Sequence, residues 1–256
     1  MKRLVINGGA GRMGQAMAQA FSQIADFAVV ALVDVHEPAN LFGAAYYSSL
    51  DALEPDTVDV VIDFSNPNGV VSSAAWCASH AKGLVIGTTG LNADQRSAVT
   101  GAASSTGVVM ASNFSLGAVL ADRFAAMAAP YFDRVEIIEL HHDKKVDAPS
   151  GTSQSTAQAI TASLQKAGKA VLPDPTEKFS IEGARGADAG SGIKIHSVRL
   201  PGLVAHQEIL FGGPGEGLTI RHDSYDRQSF VQGVAIAARF VSSTPGLVEG
   251  IDSLLD

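Results

Sequence analysis

The octapeptide Asn7-Gly8-Gly9-Ala10-Gly11-Arg12-Met13-Gly14 constrains this chain more than any other feature. It follows the apolar run Leu4-Val5-Ile6 and opens an alanine-rich stretch, Met13 to Ile24, so it reads as the turn from a first strand into a first helix. Gly9, Gly11 and Gly14 fit G-x-G-x-x-G. Glycines there let backbone approach a pyrophosphate closely, and amides at the helix start can bind it. Asp34 closes the second β-branched run 20 residues after Gly14, where a carboxylate accepts hydrogen bonds from the adenine-ribose hydroxyls. The same carboxylate repels a 2′-phosphate, and Val35 follows it instead of an arginine. NADH is therefore the expected nucleotide, with NADPH an alternative when His36 is protonated.

Strand-like runs and helix-like stretches alternate through the first half. Leu4–Asn7, Val29–Asp34, Val58–Phe64, Leu84–Gly87 and Val108–Ala111 are the expected strands; Met13–Ile24, Gly69–Ser79 and Asn92–Ser104 are the expected helices. Continuous apolar strands in that order predict an α/β fold with a Rossmann-like, doubly wound parallel sheet. Three later strand ends carry loops suited to the same nucleotide: Asp63-Phe64-Ser65, Gly87-Thr88-Thr89-Gly90 and Ala111-Ser112-Asn113-Phe114. Beyond Ser115 the pattern changes to a helix over 116–129, a strand over 135–141, a helix over 151–167 and a long Gly/Pro-rich loop over 168–192. Strands over 193–200, 203–211 and 217–223 follow, joined by Pro201-Gly202 and Gly212-Gly213-Pro214-Gly215, and a last helix runs from Gln228 to Ser242. Turn-joined strands imply a second, α+β domain with a mixed or antiparallel sheet.

Composition removes several classes of function. Eighteen basic and 26 acidic residues give a charge of −8, which disfavours nucleic-acid and anionic-membrane partners. The acidity is uneven: residues 1–25 hold Lys2, Arg3 and Arg12 and no acid, so the glycine turn lies in the most basic part of the chain. A single cysteine, Cys77, reads as helix packing, and with no signal-peptide pattern it points to the cytoplasm. No Cys/His spacing suggests a metal. His196 and His206 read as packing or interface residues, and His80 and His222 have no evident partner in sequence.

The richest chemistry lies in Glu139-Leu140-His141-His142-Asp143-Lys144-Lys145-Val146-Asp147-Ala148-Pro149-Ser150-Gly151-Thr152. It crosses from a strand through a loop to a helix start, where Gly151 and Thr152 present free amides to a carboxylate. His141, His142 and Lys145 beside it can move protons and bind anions, whereas Lys144 reads as a solvated charge. His141 to Thr152 carries no net charge, so its affinity for anions must come from orientation.

These motifs resemble the 4-hydroxy-tetrahydrodipicolinate reductases, also called dihydrodipicolinate reductases, of lysine and diaminopimelate synthesis. The resemblance rests on Gly8 to Gly14, Asp63-Phe64-Ser65, Gly87 to Gly90, Asn113-Phe114-Ser115-Leu116-Gly117 and above all His141-His142 with Lys145 to Thr152. It extends to His196-Ser197-Val198-Arg199 and Gly202 to Glu208, covering nearly the whole chain. It implies catalytic roles for His141 and Lys145, and substrate-carboxylate binding by His142, Gly151 and Thr152. It implies nucleotide binding by Gly8, Gly9, Ala10, Gly11, Arg12, Met13, Asp34, Gly87, Thr88, Thr89, Ala111, Ser112, Asn113 and Phe114. It further implies a dinucleotide domain of residues 1–112 and 222–256, a substrate-binding and oligomerisation domain of 113–221, and a homotetramer. An amino-acid or sugar dehydrogenase with a Lys–His pair explains the glycine turn but not the His-His block. An NADH-sensing regulator lacks a visible basic recognition module.

Overall fold

The alternating runs of the first half form one parallel sheet, as expected, with two edge strands added. The computed structural model describes residues 1–190, 192–241 and 245–255, which form two compact units: Met1–Leu116 with Arg227–Asp256, and Gly117–Asp226. Unit 1 contains β1 (Lys2–Asn7), α1 (Arg12–Phe21), β2 (Phe27–Val33), β3 (Ala45–Tyr47), β4 (Val60–Asp63), α2 (Pro67–His80), β5 (Gly83–Ile86), α3 (Ala93–Ala102) and β6 (Gly107–Met110). Its sheet is parallel throughout and runs β12-β6-β5-β4-β1-β2-β3, where β12 (Gly246–Glu249) is a late addition to one edge. Strand order reverses between β1 and β4, and the crevice at the carboxyl ends of such a pair is where open α/β sheets bind ligands. Val5, Val61, Leu84 and Val108 pack with Val70 and Trp76 of α2 and Val99 of α3. Leu4 and Ile6 alternate onto the other face and are equally buried. Cover on both faces is the reason these strands read as unbroken apolar runs.

The helices start on local signals. Asn66 caps α2 by accepting from the amides of Asn68 and Gly69, with Pro67 in the first turn, and Asn92 forms a reciprocal capping box with Gln95 at α3. Helix α1 begins on Gly11, with no side chain capping it.

Unit 2 contains β7 (Arg134–His141), α5 (Gly151–Lys166), β8 (Ala187–Asp188), β9 (Lys194–Arg199), β10 (Ala205–Gly213) and β11 (Glu216–Ser224); α4 (Leu116–Ala128) leads into it. Its mixed sheet runs β11-β10-β7-β9-β8, with β7 and β9 parallel and the other pairs antiparallel. The chain neighbours β9 and β10 do not pair; β7 lies between them. Val135, Ile137, Ile195, Ile209 and Phe211 face Ala121 and Ala125 of α4 and Ala157, Ile160 and Leu164 of α5. Burial along β7 alternates strictly from Val135 to Leu140, so one face of this sheet is covered and the other is half-exposed.

Three short strands depart from the sequence reading. β3 and β12 are edge strands of three and four residues, too short to show a period, and β8 lies within the stretch expected to be loop. The last helix, α6 (Val231–Phe240), is preceded by a separate tight turn at Arg227–Phe230. Its expected end at Ser242, residue Ser191 of the expected loop and the terminal Asp256 lie outside the described residues. No helix among the described residues is long and apolar enough to cross a membrane.

Candidate active site

In unit 1 the glycine turn sits at the reversal of strand order. Gly8 has φ +86, a conformation that L side chains rarely adopt, and its open side lies against the Phe64 carbonyl. A Cβ on Gly14 would stand 2.1 Å from the Gly8 carbonyl oxygen, so only glycine lets α1 begin this close to the turn. The turn spends most of its own amides on its shape: Gly8 and Gly9 donate to the Val33 carbonyl, Gly11 to the Gly8 carbonyl, and Ala10 to Asp34 Oδ2 at 3.0 Å. Among the described residues, the Arg12 and Met13 amides remain at an uncapped helix start. The exposed Arg12 side chain stands beside these two amides.

Asp34 is aimed by two backbone donors, Ala10 and His36, the latter at 3.3 Å. Each carboxylate oxygen can accept a second bond, which suits a ribose diol. The adjoining cleft, about 440 Å³, is lined by Asn7, Gly8, Gly11, Asp34, Phe64 and Ser65, with Ser48, Ser49 and Asp51 beyond them. These features fit a dinucleotide.

Asp63 and Phe64 organise the neighbouring loops. Asp63 is fully buried and accepts from Asn7 Nδ2, Ser73 Oγ, the Ser65 amide and hydroxyl, and Thr88 Oγ1, tying the ends of β1, β4 and β5 together. Gly87 leaves room for the Phe64 ring, whose edge meets Phe114 at 6.3 Å between centroids. Phe114 is buried, with its carbonyl against Gly233, and Ala111 is buried too. Thr89 and Ser112 are exposed, and Asn113 folds back to accept from the Ser115 amide.

In unit 2 the helix-covered face of β7 turns polar at its carboxyl end. Strand alternation puts Glu139 and His141 on the same face as Ile137. Glu139 is fully buried; its oxygens lie 2.5 Å from His141 Nδ1, 2.8 Å from both terminal nitrogens of Arg199 and 3.2 Å from the Ser150 amide. Arg199 stands opposite His141 in the parallel β7–β9 register and also donates to the Asp147 carbonyl at 2.9 Å. Burial pushes the Glu139 carboxyl up, but bonds from Arg199, Ser197 and His141 together hold it below the usual carboxylate range. Burial pushes His141 below the usual imidazole value, and the opposing pull of Glu139 does not make up the difference.

Lys145 lies close enough to His141 to disfavour its protonation further. Its ammonium is paired with Asp147 at 2.7 and 2.8 Å. Ser150 caps α5 through the Ser153 amide, leaving the first-turn amides of Gly151 and Thr152 facing outward, and His142 is exposed. The structure thus brings His141, Lys145 and the start of α5 around one strand end. Glu139 and Arg199 are the members that sequence reasoning missed. The i, i+2 spacing of Glu139 and His141 on a strand was a readable signal; Arg199, 60 residues from Glu139, entered only within the motif His196-Ser197-Val198-Arg199, with nothing local to pair it with Glu139.

Four of the remaining five histidines have identified neighbours in the fold. His80 Nδ1 is 2.8 Å from the Trp76 carbonyl, His196 meets Glu136 and His206 meets Asp223, while His222 packs against Gly117. Cys77 is buried, and burial raises its thiol far above the usual range. Among the described residues no three His, Cys, Asp or Glu side chains are grouped to hold a metal ion.

A parallel sheet with a glycine turn at its reversal point, joined to a mixed-sheet unit bearing a histidine and a lysine, defines a nucleotide-dependent oxidoreductase. Family models describe the rest: dihydrodipicolinate reductase, N-terminus, matches residues 2–114, and dihydrodipicolinate reductase, C-terminus, matches residues 117–255. The chain belongs to the dihydrodipicolinate reductase family. It is 43% identical over 252 residues to the 4-hydroxy-tetrahydrodipicolinate reductase of Corynebacterium diphtheriae, covering 97% of this chain and 96% of that one. It is 45% identical over 269 residues to the enzyme of the same name from Listeria monocytogenes, covering 99% and 100%. Among solved structures, a dipicolinate-bound dihydrodipicolinate reductase from Paenisporosarcina sp. TG-14 matches with TM-score 0.87, 40% identity and 99% of each chain. A probable dehydrogenase from Thermotoga maritima, at TM-score 0.63 and 16% identity, shares the fold alone.

Proposed function

We propose that this reductase converts 4-hydroxy-tetrahydrodipicolinate to tetrahydrodipicolinate in lysine and diaminopimelate synthesis, with NADH as preferred donor, NADPH as the alternative, and His141 and Lys145 handling the protons. The observation that carries the reading is the meeting of His141, Lys145 and the open start of α5 at the end of β7. The nucleotide, when bound, supplies a hydride to the conjugated imine left after loss of water. Negative charge then builds along the conjugated system, and a proton delivered at its far end lowers the barrier. Lys145 is the proton donor, because an ammonium carries three N–H groups whereas His141 is held toward its neutral form. His141 relays the proton, and Asp147 steers the ammonium. Gly151 and Thr152 amides bind one substrate carboxylate and His142 the other.

In unit 1, Arg12 and Met13 hold the pyrophosphate, Asp34 the ribose, and Gly87 to Thr89 with Ala111 to Phe114 the far end of the nucleotide. The unit of Met1–Leu116 with Arg227–Asp256 acts as the dinucleotide domain and Gly117–Asp226 as the substrate domain, with limits a few residues from the 112/113 and 221/222 that the resemblance implies because β11 runs to Ser224 in the second sheet. The half-exposed face of the second sheet, with Ile138, Leu140, Val198 and Leu210, is the surface for a homotetramer. A buried, unpaired Cys77 agrees with a reducing cytoplasm.

The test is loss of NADH absorbance on mixing purified protein with freshly prepared 4-hydroxy-tetrahydrodipicolinate, with none for pyruvate or sugars. Oxidation by the controls, or none with the imine, overturns the assignment. The Asp34 carboxylate predicts kcat/KM at least about tenfold higher for NADH than for NADPH, the equivalent of ~1.4 kcal/mol of like-charge repulsion. A preference for NADPH would refute that role for Asp34.

A further inference from the structure

We infer that Glu139, clamped by Arg199, is a positioning residue that fixes His141 in the Nδ1–H tautomer and leaves Nε2 as the only acceptor of its ring. The inference rests on the proposed role of His141 in proton transfer. Both Glu139 oxygens are occupied: Arg199 bonds each of them at 2.8 Å, His141 Nδ1 lies 2.5 Å from one, and the Ser150 amide 3.2 Å from the other. Bidentate pairing to a guanidinium keeps the carboxylate ionised, and an ionised carboxylate only accepts. The ring nitrogen facing it must therefore carry the hydrogen. A neutral imidazole has a single N–H, so the lone pair falls on Nε2, the atom that can relay a proton.

The surroundings leave little to compete. His141 is flanked by Arg199 on β9 and by the uncharged Ala205 on β10, with Lys145 and Asp147 in the loop that follows and Ser150 at the start of α5. Arg199 spans Glu139 and the Asp147 carbonyl, so the same guanidinium that orients the histidine also anchors the loop bearing the lysine. Glu139 has a second, purely structural contact, the Ser150 amide, which helps set the α5 start. The two roles separate in kinetics: misplacing α5 weakens carboxylate binding and raises KM, whereas freeing the histidine tautomer lowers kcat.

Glu139→Gln keeps the shape and removes the charge. The expected result is a kcat lower by roughly 10- to 100-fold, the scale on which removing an orienting partner of a histidine acts, with the imine KM changed by less than about threefold. The acid limb of the kcat–pH profile, where His141 becomes protonated and loses its lone pair, moves to lower pH, because the carboxylate that favours the imidazolium is gone. Glu139→Asp retains the charge and returns the limb toward its original position. Nitrogen-15 NMR of the ring in the unaltered protein, near neutral pH, reads the tautomer directly and shows a protonated Nδ1 and an unprotonated Nε2. An Nε2–H tautomer there, a wild-type kcat with an unmoved acid limb in Glu139→Gln, or a rise in KM alone overturns the inference. Full turnover in His141→Gln sinks the proton-transfer role itself, and the NMR result remains readable in that case.

Discussion

Lys145→Ala is expected to lower kcat for imine reduction by about two orders of magnitude or more, the scale on which a positioned acid or base acts. That loss corresponds to ~2.7 kcal/mol of transition-state stabilisation at ~1.36 kcal/mol per factor of ten. The lysine side chain is mostly shielded while its partner Asp147 is well exposed, and such solvent-screened pairs contribute little to stability. The melting temperature should therefore stay near that of the unaltered protein. Lys145→Arg sharpens the test. A guanidinium keeps the charge that attracts a dicarboxylate but does not release its proton, so kcat falls nearly as far while KM is largely kept. Near-normal turnover in either variant shows that the proton comes from elsewhere.

Gly14→Ala carries the second large effect. The added Cβ would lie 2.1 Å from the Gly8 carbonyl oxygen and 2.9 Å from Gly9 Cα, both backbone atoms with no rotamer to absorb the clash. Helix α1 must back away from the turn, at a cost of about 1–3 kcal/mol typical of overpacking, and a lower melting temperature follows. The retreat carries the Arg12 and Met13 amides with it. Each hydrogen bond to a charged group is worth ~1.5–3 kcal/mol, so losing one weakens NADH binding by roughly ten- to a hundredfold. Fluorescence titration with NADH measures this. Unchanged affinity alongside a lowered melting temperature removes the pyrophosphate from this turn, and an unchanged melting curve refutes the clash itself.

Much of the first unit was legible because its signals are local. The strand runs are continuous and apolar and the turn is written in glycines, whereas the Asn66 cap, which starts its helix two residues before the expected Gly69, went unread. β3 and β12 escaped notice because an edge strand of a few residues carries no periodicity. Asp63 could be placed near the nucleotide, yet its work of gathering Asn7, Ser65, Ser73 and Thr88 depends on three strand ends meeting. Phe114 likewise is buried in the fold, its ring against Phe64 and its carbonyl against Gly233.

The same division runs through the second unit. Residue types in the block from His141 to Thr152 determined by themselves which chemistry was at hand, because imidazole, ammonium and free helix-start amides are properties of short segments. Which amides of the glycine turn stay free, and what holds His141, were decided only by tertiary structure. Ala10 is taken by Asp34 from the next strand, and Glu139 by Arg199 from a strand 60 residues away whose register no local pattern encodes. A sequence displays the donors and acceptors that a chain carries; folding decides which of them satisfy each other and which remain to meet a substrate.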